Sequence, residues 1–149
     1  MNMSNQVVDK LNQFLSDLVV FYRKVQNYHW NVKGKDFFVV HSKLEEYYDE
    51  INEQIDEVGE HILILGGEPL GTMKDYLTNT KIAEAKNEKI SSCDIFQNLE
   101  KDYTTLKDCA CKIKECAENE NDYATSSLMD NYIQEYGKIL WMINQNNMQ

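Results

Sequence analysis

The chain has 149 residues, of which 42% are hydrophobic and 27% charged, with six glycines and a single proline. That is the length of one domain, sufficient to bury a core without disulfide or metal staples, and the residue usage is that of a helical protein. A formal net charge of -10 argues against unaided binding to nucleic acid or an anionic membrane and makes cations the natural partners.

The amino terminus, Met1-Asn2-Met3-Ser4-Asn5-Gln6, has no basic stretch leading into an apolar one, and no apolar run approaches a membrane span. A cytoplasmic location is therefore expected. Four long segments carry a helical period, and no segment alternates as a strand does. The first apolar stripe runs Val7, Leu11, Phe14, Leu15, Leu18, Tyr22 and Val25, and its next position is His29. Gly34 offers a stop, and Asp36 is available to cap the second helix. The second stripe starts at Phe37 and His41, continues through Leu44, Tyr48, Ile51, Ile55, Val58, Ile62 and Leu65, and stops at Gly66-Gly67 before Pro69.

The connection from residue 68 to about 90 is too long for a tight turn and contains one short helical candidate, Met73-Lys74-Asp75-Tyr76-Leu77. It is expected to cross between bundle ends. The third long helix starts near Ser91-Ser92-Cys93-Asp94 and buries Ile95, Leu99, Leu106, Ala110, Ile113 and Ala117. The fourth begins near Asp122, buries Met129, Tyr132, Ile133, Tyr136, Leu140 and Ile143, and dissolves into Asn144-Gln145-Asn146-Asn147. Cys93, Cys109, Cys111 and Cys116 lack zinc-ribbon or C-x-x-C spacing and read as reduced structural thiols. A soft-metal contact through Cys109 and Cys116, one heptad apart, is the alternative. The expected architecture is all-α: one domain over residues 1–149, a four-helix bundle of ferritin-like topology with a short extra helix in the long crossover between the second and third helices.

His29 and His41 lie six residues either side of Lys35, in the predicted turn, so an antiparallel helical hairpin brings them level. On the second helix, at about 100° per residue, His41, Glu45, Asp56 and Glu60 form one polar stripe beside the apolar one. Asp56 and Glu60, one turn apart, can converge on a cation. His41 precedes Asp56 by fifteen residues, which is roughly 22 Å along a helix. One chain cannot close that gap. A second copy of the helix, antiparallel and crossing near Tyr48 to Ile51, sets His41 of one chain opposite Asp56 and Glu60 of the other, and two-fold symmetry yields two equivalent sites. Two imidazoles with carboxylates suit Fe(II), Mn(II) or Zn(II), iron being favoured where open positions admit an oxidant. The competing reading is a satisfied core histidine and solvated acids.

The strings Tyr28-His29-Trp30-Asn31-Val32, Phe37-Phe38-Val39-Val40-His41 and Asp56-Glu57-Val58-Gly59-Glu60, with Gly66-Gly67 downstream and Leu140-Trp141 near the end, resemble the Dps family of mini-ferritins over nearly the whole chain. The resemblance implies a dodecameric shell of four-helix subunits with ferroxidase sites across two-fold interfaces. His29 and His41 would come from one subunit and Asp56 and Glu60 from its partner, with Glu45 as an accessory ligand. The implied reaction is oxidation of Fe(II) to Fe(III), preferably by hydrogen peroxide, with storage of a ferric mineral and protection against oxidative stress. Ligation needs neutral imidazoles and ionised carboxylates, so occupancy should fall as pH drops through the histidine range.

The resemblance also implies acidic three-fold pores around the start of the last helix, for which Asp122 and Asp130 are the candidates, with Glu118 and Glu120 nearby and Ser126 and Ser127 where more acid would be expected. A second acidic stripe, Glu46, Glu50, Glu53 and Glu57, would be a solvated face or the mineral-nucleating lining of the shell. Trp30, beside His29, is a candidate radical sink, while Tyr22, Tyr28 and Tyr48 read chiefly as packing. DNA-binding members of the family carry basic tails, whereas the amino terminus offers only Lys10 before Leu11 and residues 144–149 contain no basic side chain. No direct DNA binding is expected. A nucleoid-compacting protein and a non-catalytic metal buffer or helical interaction module are the alternatives. A classical ferritin or rubrerythrin needs Glu-x-x-His pairs, and His29, His41 and His61 all lack the glutamate.

Overall fold

The computed structural model describes residues 4–148, so Met1, Asn2 and Met3 of the amino-terminal segment lie outside the described residues. The apolar stripes fold into four long helices, α1 (Ser4–Asn31), α2 (Phe37–Ile64), α4 (Ser92–Asn119) and α5 (Tyr123–Asn147), with a short α3 (Met73–Asn79) in the crossover. α1 packs on α2 and α4, and α4 packs on α5. The core between them holds Leu11, Phe14, Leu18 and Phe21 of α1, Leu44, Ile51 and Ile62 of α2, Ile95, Leu106 and Ile113 of α4, and Met129, Tyr132 and Tyr136 of α5. Each such side chain contributes about 1.5–3 kcal/mol of burial, so the helices are held by packing more than by propensity.

Caps define the helix ends. The Ser91 hydroxyl accepts from the Asp94 amide at 3.2 Å, Asp122 accepts from the Thr125 amide at 3.1 Å, and Thr72 accepts from the Asp75 amide at 3.2 Å. α2 ends where Gly66 turns to φ +82°, and the Gly67 amide returns to the Ile62 carbonyl at 2.9 Å. Gly67 itself packs so close that a Cβ there would meet Val8 at 2.8 Å.

Several expectations need correction. Asp36 precedes α2 but makes no side-chain cap; its carboxylate instead accepts from the Ser92 hydroxyl at 2.6 Å and ties the α1–α2 turn to α4. Tyr47 and Gln54 are buried on α2, whereas Tyr48 and Ile55 on the expected stripe are only half-buried. Gln54 tolerates burial because its carbonyl accepts from the Tyr136 hydroxyl at 2.6 Å and its amide donates to Glu135 at 3.1 Å. α5 does not dissolve at Asn144 but continues through Asn147, whose amide donates to the Phe96 carbonyl at 3.3 Å. Two two-residue strands, β1 (Val32–Lys33) and β2 (Ile90–Ser91), pair in parallel and were too short to leave a pattern.

The crossover is pinned along α1. Asp17, fully buried, accepts from the Thr80 hydroxyl at 2.9 Å and the Lys81 amide at 2.7 Å, while Asn12 accepts from the Leu70 amide at 2.9 Å. Burial raises the Asp17 carboxyl above its ordinary range despite these donors. Further along α1, Lys24 forms a buried ion pair of 2.7 Å with Asp102 of α4. No described helix is long and apolar enough to cross a membrane.

Candidate metal centre

The tight turn between α1 and α2 places His29 and His41 face to face, with ring centroids 3.7 Å apart and planes 13° from parallel. His29 Nδ1 lies 2.6 Å from the His41 carbonyl oxygen, and His41 Nδ1 lies 2.8 Å from the His29 carbonyl oxygen. A carbonyl oxygen only accepts, so both Nδ1 atoms carry the proton and donate it. Each neutral ring therefore keeps its lone pair on Nε2, the tautomer a metal ligand needs. Phe37 stacks on His41 at 4.9 Å, and Tyr48 meets the His29 ring edge-on at 5.3 Å. These neighbours fix the orientation of both rings; the sequence offered Phe37 and Tyr48 as members of an apolar stripe, with no part in orienting the histidines.

Glu45 Oε1 is 3.8 Å from His29 Nε2. Two donors can stand at that separation around one ion when each bond is about 2.0–2.2 Å, so the chemistry and spacing of this half fit a divalent cation. Asp56 and Glu60 are exposed on the same uninterrupted α2. Asp56 remains roughly 22 Å and Glu60 roughly 28 Å beyond His41 along the helix axis, at about 1.5 Å per residue. Among the described residues, no group of three His, Cys, Asp or Glu side chains converges to hold a metal. The chain thus brings His29 against His41 in one pair and against Glu45 in another, and leaves Asp56 and Glu60 apart.

Large apolar side chains stand uncovered beside these carboxylates: Phe38 is 82% exposed and Leu63 60% exposed. At about 100° per residue, Phe38, Glu45, Asp56 and Leu63 share one line along α2. Met73 and Leu77 of α3 are exposed as well. Trp30 is exposed next to His29, with the Arg23 guanidinium 5.9 Å from its ring.

Glu46, Glu50, Glu53 and Glu57 line an open groove of about 720 Å³ between α2 and α5, together with Glu135. Burial raises the Glu50 and Glu135 carboxyls, and neighbouring carboxylates add to the effect. The candidate pore residues already have partners within the chain. Asp122 caps α5 and accepts from the Thr125 hydroxyl at 2.6 Å, and Asp130 pairs with Lys114 at 2.9 Å. Lys114 also donates to Ser126 at 2.7 Å. Because the single Thr125 hydroxyl hydrogen goes to Asp122, the contact of 2.7 Å between His61 Nε2 and Thr125 has the imidazole as donor. The sequence left this buried histidine unassigned. All four cysteines are free thiols, and burial pushes Cys109 up to about 11.

A family model described as a ferritin-like domain matches residues 8–147. The "DNA protection during starvation protein 2" of Bacillus anthracis is 38% identical over 141 residues, covering 95% of this chain and 96% of that protein. The chain belongs to the Dps family of ferritin-like proteins. Its Dps relatives include the "DNA protection during starvation protein" of Helicobacter pylori, 35% identical over 89% of this chain and 92% of that one. Among solved structures, a Dps protein from Vibrio cholerae O1 superposes with a TM-score of 0.93 at 36% identity, covering 96% of this chain and 89% of that one; it is described as a member of a broad superfamily of ferritin-like diiron-carboxylate proteins. A Dps protein from Bacillus brevis superposes with a TM-score of 0.95 at 30% identity, covering 99% of each chain. The expected ferritin-like fold is thereby shown.

Proposed function

We propose that this Dps-family chain is the subunit of a cytoplasmic ferroxidase and iron store. It oxidises Fe(II), preferably with hydrogen peroxide, at sites shared across a two-fold interface, and stores the Fe(III) as mineral in a dodecameric shell. The observation that carries this reading is the division of one ligand set along α2. Two imidazoles are locked with their Nε2 lone pairs free beside Glu45, while Asp56 and Glu60 are stranded on the same exposed line. An antiparallel partner helix crossing near Tyr48 to Ile51 supplies Asp56 and Glu60 to the His29–His41 pair and receives the same in return. That crossing also sets Phe38 of one chain near the Leu63 end of the other, covering both.

Iron is substrate and cargo here. Two Fe(II) ions give one electron each to H2O2, which takes up two protons and leaves as two waters, so no hydroxyl radical is released when both electrons arrive together. The side chains bind and position the iron: neutral imidazoles and ionised carboxylates supply the donors, and the Nδ1 bonds hold the rings in place. Trp30, exposed beside His29, is assigned as a sink for stray oxidising equivalents at this site. The glutamate groove is assigned to the inner, mineral-facing side, and Asp122 and Asp130 to the entry route.

Relatives carry DNA protection in their names. For this chain we assign protection to the removal of iron and peroxide, because a net charge of -10 on each subunit opposes the phosphate backbone. Stopped-flow oxidation of Fe(II) with peroxide and with oxygen, comparing wild type with His29→Ala and Asp56→Ala, tests the proposal. Equal rates in all three proteins would sink the site assignment, and binding without turnover in wild type would favour a metal buffer. Tight DNA binding in a gel shift without bridging cations would favour the nucleoid-compacting alternative.

A further inference from the structure

A column of buried tyrosines joins α2, α4 and α5. Ring centroids are 5.7 Å apart between Tyr47 and Tyr103, 5.8 Å between Tyr103 and Tyr136, and 6.1 Å between Tyr136 and Tyr132, the last pair being 20° from parallel. None of the four is more than 7% exposed. Their hydroxyls are not equivalent. Tyr132 donates to the Glu57 carboxylate at 2.5 Å, whereas Tyr136 donates to the Gln54 amide oxygen at 2.6 Å. Burial holds all four phenols above their ordinary range, so each enters any reaction protonated.

A neutral phenol that loses an electron becomes a strong acid and must shed its proton. That step is favourable only where a base is already hydrogen-bonded, and a carboxylate is such a base while an amide oxygen is not. Tyr132 is therefore where an electron vacancy entering the column comes to rest. Both ends of the column, Tyr47 and Tyr132, line the acidic groove, and of the two only Tyr132 is hydrogen-bonded to one of its carboxylates, Glu57. The ring itself is only 2% exposed, which shields a radical there from bimolecular quenching.

We propose that Tyr132, paired with Glu57, is a one-electron redox site that removes strong one-electron oxidants from the acidic groove. The oxidant is the hydroxyl radical, formed whenever peroxide meets a single Fe(II). Tyr132 gives it one electron while the phenolic proton passes to Glu57, and the radical takes a proton from solvent to become water. An Fe(II) in the groove then returns an electron to the tyrosyl radical, and Glu57 returns the proton. The sum is one hydroxyl radical, one Fe(II) and one proton converted to water and Fe(III). The identity of this oxidant rests on the ferroxidase reading; the tyrosine chemistry does not.

The test leaves iron out. The intact protein is oxidised by photogenerated tris(bipyridine)ruthenium(III), frozen, and examined by electron paramagnetic resonance. Wild type and Trp30→Phe are expected to give a tyrosyl signal, and Tyr132→Phe to lose it. Glu57→Gln, which keeps a hydrogen-bond acceptor but removes the base, is expected to lose most of it. A wild-type signal in Tyr132→Phe would overturn the proposal; were that variant unable to assemble, an undiminished signal in Glu57→Gln would do the same. With Fe(II) and peroxide, Tyr132→Phe should keep the initial oxidation rate and release more spin-trapped hydroxyl radical. If wild type forms the iron-free radical yet does not oxidise Fe(II), the ferroxidase reading falls and the redox tyrosine stands.

Discussion

The two ends of α2 solve different halves of the same chemical problem. At the amino-terminal end, His29 and His41 are stacked and hydrogen-bonded through Nδ1, so that tautomer and ring orientation are set before any metal arrives. Near the carboxyl-terminal end, Asp56 and Glu60 are exposed and make no side-chain hydrogen bond or ion pair among the described residues. The difference follows from the donors. An imidazole offers one lone pair, and only in the correct tautomer, whereas a carboxylate is ready to bind in any rotamer that reaches the ion. The prebuilt half costs hydrogen bonds and packing, and the other half costs little until a partner chain arrives.

The largest effect should come from separating the halves. His29→Ala and Asp56→Ala are each expected to slow Fe(II) oxidation by more than about 100-fold, since the loss of even outer-shell partners costs about 10–100-fold. Mixed dimers of the two variants should regain activity, because one of the two shared sites is then intact; stopped-flow rates on reassembled mixtures check this. No recovery would mean that the halves belong to different sites.

Next in size is the anchoring of the histidine half. Lys24 holds α1 to α4 five residues before His29 through the buried pair with Asp102. Lys24→Met leaves Asp102 buried without its cation and should cost about 3–5 kcal/mol in chemical denaturation. Beside the carboxylate half, Thr125→Val leaves the His61 imidazole without its acceptor and removes the hydroxyl bond to Asp122 while keeping the amide cap, and should cost about 1–3 kcal/mol. If Lys24→Met also raises the iron concentration needed for half-maximal rate while Thr125→Val does not, the contrast between a positioned half and a merely present half is sharpened.

The smallest expected effect is on pH dependence. Burial holds His61 below its ordinary 6.5, with Asp122 and Glu57 only partly opposing it. The unfolded chain therefore binds that proton more tightly than the folded one, and the contribution of His61 to stability is complete above pH 6.5 and lost as pH falls through that value. Asp17 and Asp102, raised by burial, have the opposite sign and recover stability as they take up protons at lower pH. His61→Gln should flatten the decline of the denaturation midpoint between neutral and mildly acidic pH.

The bundle was readable because four apolar stripes keep one helical period, from about four turns in the last to about eight in the second, and the caps at Ser91 and Asp122 stand where hydroxyl and carboxylate precede the last two. The hairpin symmetry of His29 and His41 about Lys35 was equally readable. What escaped were features whose partners are remote in the chain. Gln54 looks like a surface residue until Tyr136, 82 residues on, supplies its hydrogen bond. Asp36 looks like a cap until Ser92 claims it, and Asp130 looks like a free pore carboxylate until Lys114 is found against it. The tautomer lock was invisible for another reason: its acceptors are main-chain atoms, which no residue letter encodes.

That lock changes what must be preserved for the centre to work. Since each Nδ1 donates to the backbone of the opposite helix, substituting one ring leaves the acceptor of the other in place. Inserting a single residue between Val39 and Val40, inside the first turn of α2, keeps every ligand, yet it turns His41 by about 100° and advances it about 1.5 Å relative to the start of that helix. Both acceptors would leave at once, and both imidazoles would be free to carry the proton on the nitrogen that should face iron. The twelve-residue interval between the histidines is thus a chemical specification as strict as the histidines themselves.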